Sequence, residues 1–478
     1  MQITVDASDP QIGVLPVPGR RHPRRPTPGT LRLHVGLQDA FPPVWRRIEV
    51  ASDLGLVDLH DVLQVAFGWQ DYHLHRFTTG PWGDPGMAFV CTADLVQAQE
   101  WDDDNSPPTW DVRVDELLAV PGERLFYNYD YGDNWWLVIE VEDVVDGAVP
   151  PGRVTLVEGA GAGPPEDCGG VDGYRLMVAA ADPTHPDHRR ALAEAADRYG
   201  YEVEPDQLGV VPFNGDALAA RLGELGLADR PPPPCRVGEQ LAGLLLRARD
   251  TDTERKLITL ASWADGAADI DADTAAVMMR PLQVLLDVVG DGIRLTAAGY
   301  LPPAIVVALF DQLDMADEWI GKGNREDLTL PVLELREAGQ RLGLLRKAKG
   351  RLLPTARGRK LAADPVGLWC HLANRLPLGG SDITDAGWQA GVLLLAVMAS
   401  GDTTGAADRI ADLLTGLGWA IDGGRPIDPR TARGLVAGDA DLLGRIGSLD
   451  RDWRAPWPGP VTTGGVALAR AALAGRET

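Results

Sequence analysis

Leu31, Leu33, Val35 and Leu37 alternate with Arg32, His34 and Gly36, the period-two pattern of a half-buried strand. Phe-Pro-Pro at 41–43 marks a turn, and residues 44–50 read as a second strand. Leu56, Leu59, Leu63, Ala66 and Phe67 then recur at helical spacing, so an amphipathic helix is predicted over 56–67, closed by Gly68. Strand character resumes over 73–79. Residues 124–131 and 135–144 read as two strands joined at Gly132, Asp133 and Asn134, a hairpin, and 186–199 as a helix. This order predicts an α+β domain over 31–228, a mixed or antiparallel sheet with packed helices.

Four prolines at 231–234 predict a stiff spacer within a linker of residues 229–236. The chain beyond it, 237–478, reads as mainly α-helical, with helices predicted over 237–249, 253–264, 274–289, 302–313, 331–345 and 387–399. A weak Thr-x-x-Gly repeat begins at Thr296, Thr355 and Thr462, and a helix N-cap accounts for the threonine. In its middle copy the helix over 331–345 is followed by a short basic hairpin over 346–353 with a glycine turn, then by a helix started at Thr355. That sequence of elements resembles the end of a winged-helix module. Residues 413–473 read as a degenerate second copy.

Composition narrows the function classes. Of 478 residues 45% are apolar, enough for real cores, yet no run approaches the roughly 20 apolar residues of a membrane span, and no membrane partner is expected. The first residues lack a secretory pattern. Cys91, Cys168, Cys235 and Cys370 lie at least 67 residues apart, which fits neither a paired-cysteine zinc site nor a disulfide scaffold and points to reduced thiols in a cytoplasmic protein. The net charge of −24 is uneven: residues 231–478 hold 28 basic and 31 acidic side chains, net −3, and residues 1–230 hold 17 and 38, net −21. The acidic half repels phosphate backbones at long range. Residues 1–30, with Arg20, Arg21, Arg24 and Arg25 among prolines, read as a basic, disordered arm.

Five segments carry a family resemblance. They contain Trp45, Arg46 and Arg47; His60 with Trp69; His73 and Phe77; Asp130, Gly132, Asp133 and Trp135; and Pro165, Glu166, Asp167, Cys168 and Gly169. In this order they resemble the plasmid pRiA4b ORF-3-like family, whose members have no established biochemical activity. Two departures stand out: Leu137 occupies a position where the family usually has His, and Gly163 stands where cysteines often precede Pro164. A mobile-element link is implied by the resemblance alone.

His73 and His75, two apart on a predicted strand, would share a face. With Asp130 and Asp133 at a turn, they form a candidate divalent-metal site, near which Glu166, Asp167 and Cys168 sit in a Pro/Gly-fixed loop. A hydrolase uses two such groups to hold an ion and a third as general base. The same residues also suit a structural role, with Asp130 capping the hairpin and Gly132 at positive φ. Tyr127, Tyr129 and Tyr131, with Trp45, Trp69, Trp135 and Trp136, form either core or an interaction face. In the C-terminal region Arg346, Lys347, Lys349, Arg351 and Arg357 belong to an acid-free stretch over 341–360, a candidate contact for DNA, RNA or a protein partner, the acidic domain of the same chain included. The expectation is a non-enzymatic binding or accessory protein; the alternatives are a metal-dependent hydrolase in the N-terminal domain and a protein-interaction adaptor.

Overall fold

The computed structural model of the chain describes residues 3–4, 22–101, 106–199, 204–235, 237–248, 250–317, 319–378, 383–450 and 455–474. It divides into two compact units, Asp9–Cys235 and Arg236–Thr478 with Met1–Ser8. The first strand, β1 (Ile3–Thr4), belongs to the second unit.

The acidic unit holds β2 (Thr30–Leu37), β3 (Trp45–Ala51), α1 (Leu56–Phe67), β4 (His75–Thr78), β5 (Ala88–Val90), α2 (Thr92–Trp101), β6 (Arg124–Tyr129), β7 (Trp135–Val145), β8 (Val154–Ala160), α3 (Gly170–Ala181), α4 (His188–Tyr199) and α5 (Gly215–Gly223). Its seven strands form one sheet, ordered β5-β4-β6-β7-β2-β3-β8, and every pairing is antiparallel. The alternation of β2 buries Leu31, Leu33, Val35 and Leu37 on one face. Helix α1 lays Leu56, Leu59, Val62, Leu63, Ala66 and Phe67 into the same core. Gly68 closes it at φ 83, a left-handed turn that glycine adopts without strain.

Two family-motif arginines hold this sheet. Arg46 is buried, and its guanidinium donates to the carbonyls of Trp45, Ala66, Ala160 and Gly161, which ties β3 to α1 and β8. Arg47 bridges Glu142 and Glu158 at 2.6 Å each. Of the basic arm, residues 22–29 lie within the described region and are held against it. Arg24 donates to the carbonyls of Asp111 (2.5 Å), Pro234 (2.8 Å) and Pro233 (2.9 Å), and both prolines are buried. Arg20 and Arg21 lie outside the described residues.

The strand expected over 73–79 starts at His75, and His73 sits in the bend before it. Asp71 turns the chain there at φ 58. His73 and His75 therefore share no strand face. Strands β5 and β8 and helices α2, α3 and α5 had no counterpart in the pattern of the sequence.

The second unit is mainly helical: α6 (Glu239–Leu245), α7 (Thr251–Ala264), α8 (Ala272–Val289), β9 (Ile293–Arg294), α9 (Pro303–Gln312), α10 (Leu330–Arg341), β10 (Leu345–Ala348), β11 (Arg351–Pro354), α11 (Ala356–Leu361), α12 (Pro365–Ala373), α13 (Ala386–Ala399), α14 (Ala406–Gly416), β12 (Ala420–Ile421), β13 (Arg425–Pro426), α15 (Pro429–Leu435), α16 (Ala437–Arg445) and α17 (Thr463–Leu473). Every residue of α13 except Gly387 is buried, so it is a central helix of the unit. Two small antiparallel sheets complete the unit, β10-β11-β9 and β1-β12-β13. The basic hairpin is β10–β11, turned by Lys349 at φ 49 and Gly350 at φ 71, the double left-handed turn that suits the twist of a hairpin. Thr355 and Thr462 cap α11 and α17, accepting from the backbone N–H of Gly358 and Gly465. Thr296 starts no helix; it closes a turn with Tyr300. Among the described residues no helix is long and apolar enough to cross a membrane.

Candidate metal centre

Four side chains from three segments of the acidic unit converge beside the β6–β7 turn. Nε2 of His73 lies 3.2 Å from Asp167 Oδ1, 3.6 Å from Asp130 Oδ2 and 3.8 Å from Glu166 Oε2. The ligand atoms of His73, Asp130 and Asp167 all stand within 4.8 Å of one another. Asp130 and Glu166 are about nine-tenths buried, at 8% and 10% side-chain exposure, and Asp167 is 75% exposed at the mouth. The other oxygens of the buried pair are taken. Glu166 Oε1 accepts from Tyr129 Oη (2.9 Å) and the Gln70 backbone N–H (2.7 Å), and Asp130 Oδ1 accepts from the Gly132 N–H (2.9 Å). Nε2 of His73 and Oε2 of Glu166 are buried and make no hydrogen bond.

The backbone is bent to build this arrangement. Asp130 and Asp167 both adopt left-handed conformations, at φ 54 and φ 53, which aspartate tolerates better than most residues. The positive φ expected at Gly132 belongs instead to Asp130 and to Asn134 at φ 58. Asp133 does not join the cluster. Its Oδ2 accepts from the Gly169 N–H at 2.9 Å, which ties the β6–β7 turn to the loop carrying Glu166 and Asp167. Gly169 itself, at φ 89, is packed so closely on Arg198 that a Cβ would lie 1.8 Å from the guanidinium.

His75 belongs to a second cluster, with His60 and Asp71, which sequence reasoning did not assemble. Its ring stacks on His60 at 3.6 Å between centroids. Both nitrogens of His60 are occupied: Nδ1 meets Tyr127 Oη at 2.8 Å and Nε2 meets Asp71 Oδ1 at 2.9 Å. Gln64 completes the network by donating to Tyr127 Oη and accepting from the Asp71 N–H. Burial and neighbouring negative charge raise the Tyr127 phenol well above its ordinary range, so it stays protonated. This is a satisfied core network.

Comparison with known proteins matches residues 29–207 to the model of the plasmid pRiA4b ORF-3-like protein family. The uncharacterized protein y4hQ of Sinorhizobium fredii is 37% identical over 166 residues, which span 34% of this chain and 78% of that protein. The chain belongs to the plasmid pRiA4b ORF-3-like family. A solved structure, the protein of unknown function MM3350 from Methanosarcina mazei Go1, matches at 24% identity and a TM-score of 0.29, covering 40% of this chain and 98% of that one. Two groups of the family's motif residues stand out here. Trp69, Phe77, Trp135 and Cys168 are buried in the core, and His73, Asp130, Glu166 and Asp167 form the cluster. Cys168 packs in the core at 1% exposure, and burial pushes its thiol up to about 12. Leu137, one of the two departures from the family pattern noted in the sequence, is fully buried. Gly163 passes so close to the end of α1 that a Cβ would lie 1.7 Å from the Phe67 carbonyl oxygen.

The aromatic face does not form as a surface. Tyr127, Tyr129, Trp69, Trp135 and Trp136 are buried, Trp45 is half-buried, and Tyr131 alone of this set is exposed. In the second unit Arg346, Lys347, Lys349, Arg351 and Arg357 are all exposed. Lys347 and Arg351 donate to the backbone carbonyls of Gly299 (3.2 Å) and Gly292 (2.9 Å).

Proposed function

We propose that the N-terminal domain is a divalent-cation centre of hydrolytic type, its ion held by His73, Asp130, Glu166 and Asp167. One observation carries this reading: Nε2 of His73 and Oε2 of Glu166 are both buried without a hydrogen-bond partner and lie 3.8 Å apart. Each unsatisfied buried group costs about 1–3 kcal/mol, and folded proteins rarely keep two together. A cation satisfies both and offsets the repulsion among three converging carboxylates. The spacing suits it as well. Ligands about 2.1 Å from a tetrahedral ion stand about 3.4 Å apart; the distances from His73 Nε2 run from 3.2 to 3.8 Å, and the ligand atoms of His73, Asp130 and Asp167, without Glu166, lie within 4.8 Å of one another. One imidazole with carboxylates fits zinc, manganese or iron and not a thiophilic ion.

When bound, such an ion supplies Lewis-acid polarisation of a substrate oxygen. The protein's part is positional. Tyr129 and the Gln70 N–H fix Glu166, and the Asp133–Gly169 bond fixes the loop against the turn. Asp167, the most exposed of the four, is the ligand on the solvent side of the cluster, where a substrate would meet the ion. Manganese- or zinc-reconstituted full-length protein is expected to turn over an activated ester or phosphodiester, and His73→Ala to abolish it. A protein that takes up the ion but is inert across such a panel removes the hydrolytic half of the proposal and leaves the binding half.

A second reading is supported by one observation in the other unit. Arg346, Lys347, Lys349 and Arg351 are exposed on the β10–β11 hairpin, without a carboxylate partner among the described residues. Helix α10, this hairpin and the Thr355-capped α11 stand in the order that the sequence likens to the end of a winged-helix module. Under it the protein is a binding or accessory protein that touches nucleic acid or a partner through the hairpin. Helix α10 is not the reading element, because it packs on α16 and its Glu334 pairs with Arg445 at 2.9 Å. A mobile-element role rests on the family resemblance alone. Charge reversal of the four hairpin cations is expected to weaken DNA binding; a wild-type chain that ignores DNA at low salt sinks this reading.

A further inference from the structure

Beside the basic hairpin runs an open trough of about 1350 Å³, built from α11, α12, the end of α17 and the loop before α8. Gly343 and Thr355, which flank the hairpin at its base, line it, so the trough opens where the hairpin joins the unit. Arg357, Lys360 and Arg375 project from its walls, and among the described residues none of the three has a carboxylate partner. Asp269 is the one acid of its lining.

A neutral histidine sets one of these cations. His371 Nε2 lies 2.8 Å from the Leu342 carbonyl, which can only accept, so Nε2 carries the proton. The lone pair of Nδ1 then faces Arg357 Nη1 at 3.5 Å. Burial, with the nearby charges of Arg357 and Arg375, lowers the affinity of His371 for a second proton. The imidazole therefore orients Arg357 without competing for an anion.

We infer that this trough is a phosphate-binding channel that carries an extended nucleic-acid strand onto the β10–β11 hairpin. The inference rests on the second reading above and adds to it a site, Lys360, Arg375, His371 and Asn374, outside the acid-free stretch of 341–360 except for Lys360. Three considerations favour a strand. The volume exceeds the range of about 300–1,000 Å³ typical of small-ligand clefts. Guanidinium groups recognise phosphate oxygens in a bidentate manner. The cations continue from the trough onto the hairpin, and the C-terminal half carries only −3 overall, too little to repel a polyanion.

The test is fluorescence anisotropy of full-length protein with a labelled strand of about 20 nucleotides, single and duplex, from about 50 to about 200 mM salt. Two variants are compared, Arg357→Glu with Arg375→Glu in the trough and Arg346→Glu with Lys347→Glu on the hairpin, all at exposed positions, with thermal melts to confirm folding. The trough variant is expected to lose at least about tenfold in affinity and to flatten the log–log salt slope by about 2. His371→Ala, which frees Arg357, is expected to weaken binding with little change of slope. If the hairpin variant loses binding and the trough variant does not, the trough assignment falls while the nucleic-acid reading stands. If wild type binds neither strand at low salt, both fall. If a mononucleotide or polyglutamate of matched charge binds as tightly as the strand, the extended-strand assignment is overturned.

Discussion

Two histidine clusters lie in the same domain, and they differ in one respect. Each pairs an imidazole with an aspartate in a left-handed conformation: His60 with Asp71 at φ 58, and His73 with Asp130 at φ 54 and Asp167 at φ 53. At His60 both ring nitrogens have partners. At His73 the Nε2 atom and the facing Glu166 oxygen are buried and make no hydrogen bond, although carboxylates crowd the ring. Both bring histidine and aspartate ligand atoms within 4.8 Å of one another. What separates a core histidine from a candidate ligand is whether the buried polar atoms are already satisfied.

That contrast yields graded consequences. The largest is expected at the satisfied cluster. His60→Ala strands the Tyr127 hydroxyl and Asp71 and leaves a cavity, so urea unfolding in chelator should lose about 3–4 kcal/mol. A similar loss from metal-free His73→Ala would erase the distinction, since removing an unsatisfied imidazole is expected to cost less than about 1 kcal/mol.

A buried carboxylate in the other unit sharpens the comparison. Asp439 accepts from the Leu378 N–H, and burial raises its pKa from the ordinary aspartate range to about 6. Its folded state holds the proton that the unfolded chain releases, so this contribution to stability is fully present below about pH 4 and lost as pH rises to about 6. The shift corresponds to at most about 3 kcal/mol. Asp439→Asn should flatten that pH dependence in denaturant titrations, and a profile unchanged by the substitution would show that another group is responsible.

Ligand-linked stability comes next. At an ion concentration of about 100 times Kd, wild-type protein should gain about 2.7 kcal/mol, and His73→Ala nothing. The smallest effect is at Glu166→Gln. Neutralising one of three crowded carboxylates should stabilise the metal-free protein by about 1 kcal/mol while weakening ion binding. Destabilisation of the metal-free form would mean that Glu166 is an ordinary structural carboxylate.

Much of the fold was legible in the sequence because it follows simple periods. The alternation in β2, the helical spacing of α1 and the Gly68 stop sit where patterning predicts. Strand β8 was hidden because it lies at the sheet edge, with Val157 and Glu158 exposed, so no alternation marks it. Helix α3 was hidden because it begins at Gly170 behind Gly169, residues that signal a loop. The site was half legible. His73 and Asp130 were named from residue type, and Glu166 and Asp167 were flagged by the family motif. Their union with His73 depends on the Asp133–Gly169 bond, which closes a gap of 36 residues and which no local pattern encodes. The pairing of His73 with His75 failed because the Asp71 bend delays the strand by two residues.

The most direct test of the central claim is a competition titration of chelator-stripped, full-length protein with zinc and with manganese against a chromophoric chelator. It is run in parallel on wild type, His73→Ala, Glu166→Gln and His75→Ala. The account predicts one equivalent of ion in wild type and in His75→Ala, at least about tenfold weaker binding in Glu166→Gln, and none in His73→Ala. Wild-type protein that takes up no ion, or uptake that survives in His73→Ala and disappears in His75→Ala, would contradict it.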